Sequence, residues 1–191
     1  ISMEDTFEEE EEEEEEEADE LDLQIDITKR IAIPTLAFSA EEAIAILLLR
    51  WSEQFKDFVV LRTDDPEVYV ECGMRINIGE KYNHEEKTYI NSKDLKINDY
   101  PQSMTVAGLI FHHYGEDAIF THLKSMNLSC PEEDRAFLLK RLYKTIIEPI
   151  DLNFENSSIY SDVKKLAQIM DPSDDPDPIV KQENFESLID L

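Results

Sequence analysis

Residues 31–50 read IAIPTLAFSAEEAIAILLLR, and the reading of this stretch decides the fold. Ile31, Ala32 and Ile33 make a short apolar strand, Pro34 ends it, and a helix begins a few residues later. Ser39 followed three residues on by Glu42 is a capping box, in which each side chain satisfies a backbone N–H left free by the first helical turn. The run Ala43, Ile44, Ala45, Ile46, Leu47, Leu48, Leu49 is apolar nearly all round, which predicts a helix buried on most faces. A strand–loop–helix unit places a loop and a helix N-terminus at the carboxyl edge of a sheet, where α/β proteins keep their chemistry. The side chains on this loop include Pro34, Thr35, Ser39 and Glu41, a poor set for catalysis.

Outward from that unit, β-branched and aromatic residues predict strands at 58–61 and 74–78, with Gly79 allowing the turn that follows. Residues 80–99 are polar and without clear period, a loop with one short strand at 88–90. Leu21, Leu23, Ile25 and Ile27 alternate with polar residues, the period of an edge strand. Beyond residue 104 the pattern is helical. One helix is expected over 105–114, ended by Gly115 in the left-handed region, and a second over 116–126. A third starts at a Ser129 cap with Pro131 in the first turn and Glu132 completing the box. It runs to about 147 with Phe137, Leu138, Leu142 and Ile146 on one stripe, and Pro149 stops it. A fourth covers 158–170, DPSDDPDP is an extended linker, and 184–191 forms a short amphipathic helix. The expected class is α/β: a sheet flanked by helices, with a mostly helical C-terminal half.

The chain has 191 residues and a formal charge of −27, unevenly spread. Between residues 4 and 26 stand sixteen Asp or Glu and no Lys or Arg, with residues 8–17 all glutamate. Like charges at neighbouring positions repel, so residues 1–22 read as an acidic, disordered tail. The remainder still holds 29 acidic against 18 basic residues. A strand-binding protein needs a basic track to displace counterions, so this balance argues against nucleic acid as a partner. A basic protein surface contacted by the glutamate run fits better, with affinity that falls as salt rises. Cys72 and Cys130 lack CxxC spacing and read as free thiols in a reducing, intracellular compartment, with cytoplasm and mitochondrion both open. No apolar run approaches a membrane span.

Several short motifs, in order, resemble the melanocyte-proliferating-gene (MYG) exonuclease family, relatives of the DHH phosphoesterases. The opening stretch is similar to that family's I-G-T-H-x-G-x-F-H-x-D-E-A-L-A. RTDDPEV at 62–68 resembles R-T-R-D-P-E, and INIGEKYN at 76–83 resembles V-D-V-G-G-x-Y-D. VAGLIFHHYG at 106–115 resembles S-A-G-L-I-Y-x-H-F-G, and EPIDLNFENS at 148–157 resembles E-E-V-D-A-V-D-N-G. DPSDDPDP at 171–178 is similar to N-P-x-W-N-x-P-D. The resemblance implies a DHH-phosphoesterase-like domain over 23–170, followed by a linker and helix over 171–191.

It also implies a metal site built from two His and an Asp of the first motif, the Asp of the second, a D-H-H triplet and a later Asp. Here those positions hold Pro34, Ser39, Glu41 and Asn77; the triplet falls on Ile90, Asn91 and Ser92, and only Glu41 and Asp151 remain anionic. His113 stands where the family also has His. The expectation is therefore no catalytic residue, no cofactor and no metal, with Glu41, Asp151 and His113 as the residual candidates for Mn or Mg. Glu41 doubles as a carboxylate at a helix N-terminus, and Asp151 as a turn former after Pro149. His113 is expected as a core or interface histidine, His84 and His122 as isolated surface residues. The function this implies is that of an inactive MYG-like protein acting as a structural or accessory subunit of a larger assembly. The alternatives are a metal-dependent 3′–5′ RNA exonuclease and an acidic regulator of an active paralogue.

Overall fold

The computed structural model describes residues 26–35, 39–92, 104–152, 161–163 and 165. The acidic tail, most of the 21–27 strand, the 171–178 linker and the 184–191 helix lie outside them. Of the predicted edge strand, Ile27 belongs instead to a 3-10 turn, Ile27–Lys29, which Asp26 caps through the Thr28 amide.

Four parallel strands make the sheet: β1 (Arg30–Ile33), β2 (Val59–Arg62), β3 (Met74–Ile76) and β4 (Thr88–Tyr89), in spatial order β2-β1-β3-β4. Register is fixed by Ile31 opposite Val60 on one side and Met74 on the other. β3 ends two residues earlier than expected: the Asn77 amide still donates to the Tyr89 carbonyl at 2.8 Å, but Asn77 takes φ 55, a left-handed conformation that turns the chain out of the strand. Gly79, at φ 110, supplies the turn assigned to it.

Between β1 and β2 runs α1 (Ala40–Trp51), and the box closes as read: the Glu42 amide donates to Ser39 Oγ and the Ser39 amide to Glu42. Such a cap contributes about 1 kcal/mol. No residue of α1 is exposed, in keeping with its all-round apolar sequence. A short helix, α2 (Pro66–Tyr69), follows β2, with Asp65 as its cap.

The helical half departs from expectation at three points. Residues 106–125 form one helix, α3 (Val106–Ser125), not two. Gly115 stays helical; a Cβ there would come within 2.9 Å of the Phe111 ring, so close packing explains the glycine. The left-handed C-terminal position falls to Asn127 (φ 58), and the Leu128 amide closes back on the Leu123 carbonyl at 2.9 Å. Next, α4 (Glu132–Leu142) begins with Pro131 as N-cap and no side-chain cap, so Ser129 does not play the predicted part. Lastly, Pro149 does not stop the chain. A π-helical turn, Tyr143–Ile147, shifts the register and leads into α5 (Glu148–Asp151), where Pro149 sits in the first turn and needs no N–H donor. Tyr143, Ile147 and Ile150 are buried, whereas Phe137, assigned to the inner stripe, is 66% exposed.

Packing of α1 on α3 closes the main core over the sheet, through Ile46, Leu49, Leu109, Ile110, Met74 and Tyr89 among others. Residues 161–163 and 165 are helical, within the predicted 158–170 helix.

Candidate functional site: a bridged crevice and a ring cluster

β2 and β3 lie on opposite sides of β1, so the direction of chain winding reverses between β1 and β3. Open α/β sheets bind ligands in the crevice beyond the carboxyl ends at such a switch point. Here Pro34 follows β1 and Asn77 follows β3, with the first turn of α1 above them. The crevice is bridged: Asn77 Nδ2 donates to Glu42 Oε1 at 2.7 Å, while Glu42 Oε2 accepts from the Ser39 amide at 3.0 Å. Both carboxylate oxygens of Glu42 are therefore engaged within the protein. Glu42 is 6% exposed, and burial pushes its carboxyl up; the bonds from Asn77 and Ser39 oppose that shift and neighbouring Glu41 adds to it. Glu41 is buried beside it in the first turn of α1.

A second set of contacts gathers at the N-terminus of α3. Thr105, the N-cap residue, makes no side-chain cap of its own. Asn91 Oδ1 accepts from the Val106 amide at 2.8 Å. Asp151 Oδ1 accepts from the Thr105 amide at 3.0 Å and the Thr105 hydroxyl at 2.6 Å, and Tyr143 donates to Oδ2 at 3.2 Å. The Gly108 amide also donates to Asp151. Asp151 is thus not a turn former: it is a 5% exposed carboxylate set on the positive end of a long helix. Burial pushes its carboxyl up, against the pull of these bonds. A Cβ on Gly108 would collide with both carboxylate oxygens of Asp151, so the glycine makes room for the carboxylate. Ser92 exchanges backbone bonds with Met104.

At the rim, Asp64 accepts from both the amide and the hydroxyl of Thr35, and Arg62 Nη2 donates to the Thr35 carbonyl at 3.1 Å. This clasp ties the loop after β1 to the loop after β2. Sequence reasoning passed over Asp64, although the signal was present: the similar motif R-T-R-D-P-E has Arg there.

His113 belongs to a different neighbourhood. Its ring stacks on His84 at 3.9 Å and 10°, and its Nε2 shares a proton with the Tyr82 hydroxyl at 2.7 Å. His84 Nδ1 meets the Tyr89 hydroxyl at 2.8 Å, and Tyr89 meets Tyr114 at 2.7 Å. His84 is exposed but not isolated, and His122 likewise stacks on Trp51 at 3.9 Å. Burial, then His84 and His112, lowers His113 to about 4, so the His113 ring is neutral at pH 7. Burial pushes the Tyr89 phenol far up. Beside these rings lies an open depression of about 580 Å³ lined by Gln54, His84, Glu85, Lys87, His113 and Tyr114.

A family model for MYG1 exonucleases, described as "Uncharacterised protein family (UPF0160)", matches residues 31–174. The chain belongs to this family. It is 29% identical over 136 residues to the MYG1 protein of Schizosaccharomyces pombe, covering 69% of this chain and 41% of that one. The Saccharomyces cerevisiae MYG1 protein is 28% identical over 145 residues, covering 73% and 41%. Human MYG1 exonuclease is 26% identical over 133 residues, covering 64% and 34%. The chain thus spans well under half the length of these relatives. No solved structure matches it.

Set against the MYG1 family motifs, the three residual candidates are not assembled. Among the described residues, no group of three or more His, Cys, Asp or Glu is placed to hold a metal ion, so Glu41, Asp151 and His113 form no common donor set. Asn77 and Asn91, at motif positions, donate to Glu42 and accept from α3 respectively. Cys72 and Cys130 are free thiols. No helix among the described residues is long and apolar enough to cross a membrane.

Proposed function

We propose that this chain is a non-catalytic MYG1-family member that serves as a structural or accessory subunit of a larger protein assembly. One observation carries the reading: at the motif positions the side chains of Ser39, Asn77, Asn91 and Asp151 are committed to Glu42 or to a helix end. Two divalent ions held ~3.5–4 Å apart need several carboxylates and imidazoles to offset their repulsion. Pro34 has no donor, Ser39 and Glu42 close a cap, Asn77 presents an amide N–H, and Asp151 is occupied by Thr105, Tyr143 and Gly108. These residues do not fit a metal centre, and no catalytic step is derived through one. The clasp by Asp64 adds an acidic side chain at the rim, unfavourable for a phosphate. The glutamate run at 8–17 suits a basic partner surface, with binding weakened by salt.

The test is incubation with short RNA and Mn²⁺ or Mg²⁺, where cleavage should not exceed the metal-free control. Cleavage abolished by Glu41→Gln or Asp151→Asn would overturn the proposal. A second reading, a metal-dependent 3′–5′ RNA exonuclease with one weakly held ion, draws on the relatives named exonuclease. Elemental analysis after gentle purification separates the two: a stoichiometric divalent metal favours the enzyme.

A further inference from the structure

The switch-point crevice is bridged by Glu42 and Asn77, whereas an open depression lies beside His84 with Gln54 and Glu85 in its lining. We infer that the depression beside His84 is a docking pocket for an arginine side chain of a basic partner protein, its guanidinium lying on the His84 ring and pairing with Glu85. This rests on the accessory-subunit reading and names the chemistry of the partner.

His84 is exposed, yet its ring is braced from behind by the 3.9 Å stack on His113 and from the side by the Tyr89 hydroxyl. His113 is itself fixed by Tyr82. A ring held in place before binding loses little freedom when a flat group lands on it. Guanidinium stacks on aromatic faces and pairs with a carboxylate through two parallel N–H donors, which an ammonium cannot do. Glu85 is exposed at the rim, and its backbone amide is held by Asn83 Oδ1 at 3.1 Å, so the carboxylate stands on an ordered turn. Gln54 also lines the depression. Lys87 is the one cationic residue lining the depression, and its ammonium is drawn over the Phe55 ring, 5.2 Å from the centroid. Beyond residue 26 the chain still holds 29 acidic against 18 basic residues, a balance that opposes an anionic ligand and favours a cationic one.

The probe is a capped nonapeptide of glycine and serine with two arginines, compared with its two-lysine analogue, read by NMR at the ring signals of His84 and Tyr114. The arginine peptide should shift both rings saturably, bind more weakly as salt rises, and bind several-fold more tightly than the lysine peptide. Glu85→Gln, which leaves the ring stack in place, should weaken it about fivefold, and His84→Ala by a similar factor. No ring shift at millimolar peptide, or equal affinity in Glu85→Gln and the parent chain, would overturn the inference. So would equal binding of the two peptides. Metal-dependent RNA cleavage would instead defeat the accessory reading, whatever the peptides do; retention of a co-purifying assembly in Glu85→Gln would defeat the pocket alone.

Discussion

The crevice at the carboxyl edge of β1 and β3 and the ring cluster on α3 are both rich in polar side chains, and they use them in opposite ways. In the crevice Glu42 meets Asn77 and Ser39, and at the start of α3 Asp151 meets Thr105 and Tyr143 and Asn91 meets Val106, all within the same chain. In the cluster the bonds run between Tyr82, His84, Tyr89, His113 and Tyr114, and Gln54, Glu85 and Lys87 line the open side. Under the proposed function, the crevice's groups serve the fold and recognition falls to a surface whose side chains are ordered yet still accessible.

The sharpest way to break this contrast is at Asp151. If its carboxylate substitutes for nothing and only ties α5 to the start of α3, Asp151→Ala strands the amides of Thr105 and Gly108 and the hydroxyls of Thr105 and Tyr143. Buried groups without partners cost about 1–3 kcal/mol each where water cannot reach them. A loss of roughly 3–5 kcal/mol in denaturant unfolding is expected, near the 3–5 kcal/mol typical of breaking a buried charged contact. A loss under about 1 kcal/mol would mean that water replaces the carboxylate readily and that the crevice is open.

Asn77→Asp gives a smaller effect and a more specific one. It replaces the N–H donor facing Glu42 at 2.7 Å by a second acceptor, so two carboxylates meet. One must take up a proton or the pair must part, and a loss of about 1–3 kcal/mol at pH 7 follows. Adding millimolar Mn²⁺ should recover part of that loss in the variant and leave the parent chain's melting temperature unchanged. Stabilisation of the parent by Mn²⁺ would put an ion back into the crevice.

How much of this was legible depends on range along the chain. The Ser39–Glu42 box, the buried α1 and the core of the sheet were readable because each is local and written in apolar period or cap chemistry. Gly115 and Asn127 were not: Gly115 answers to the Phe111 ring, which packs where its Cβ would stand, and the left-handed position falls to Asn127. Pro149 misled for a similar reason, since the π turn before it supplies a new first helical turn in which the missing N–H goes unnoticed. At the site, the residue types at the motif positions could be read directly, but not the groups they meet. Asn77 and Glu42 are 35 residues apart, and Asp151 and Thr105 are 46 apart. The His84–His113 stack likewise joins the β3–β4 turn to α3, and no local pattern marks it.

The smallest effect is the most diagnostic of the crevice's charge. Burial raises the Glu42 carboxyl above its ordinary value of 4.5, so the native chain holds this proton more tightly than the unfolded chain does. The favourable contribution is complete below pH 4.5 and is lost as pH rises through the native value; above it the buried charge is a standing penalty. Glu42→Gln removes the titration while keeping an oxygen that can accept from Asn77 or Ser39. Its stability relative to the parent should therefore rise modestly between pH 4 and pH 7. Urea midpoints across that range measure it. The opposite slope, with the variant losing ground as pH rises, would mean that the crevice stabilises a carboxylate more than Asn77 and Ser39 alone can, as a bound cation would.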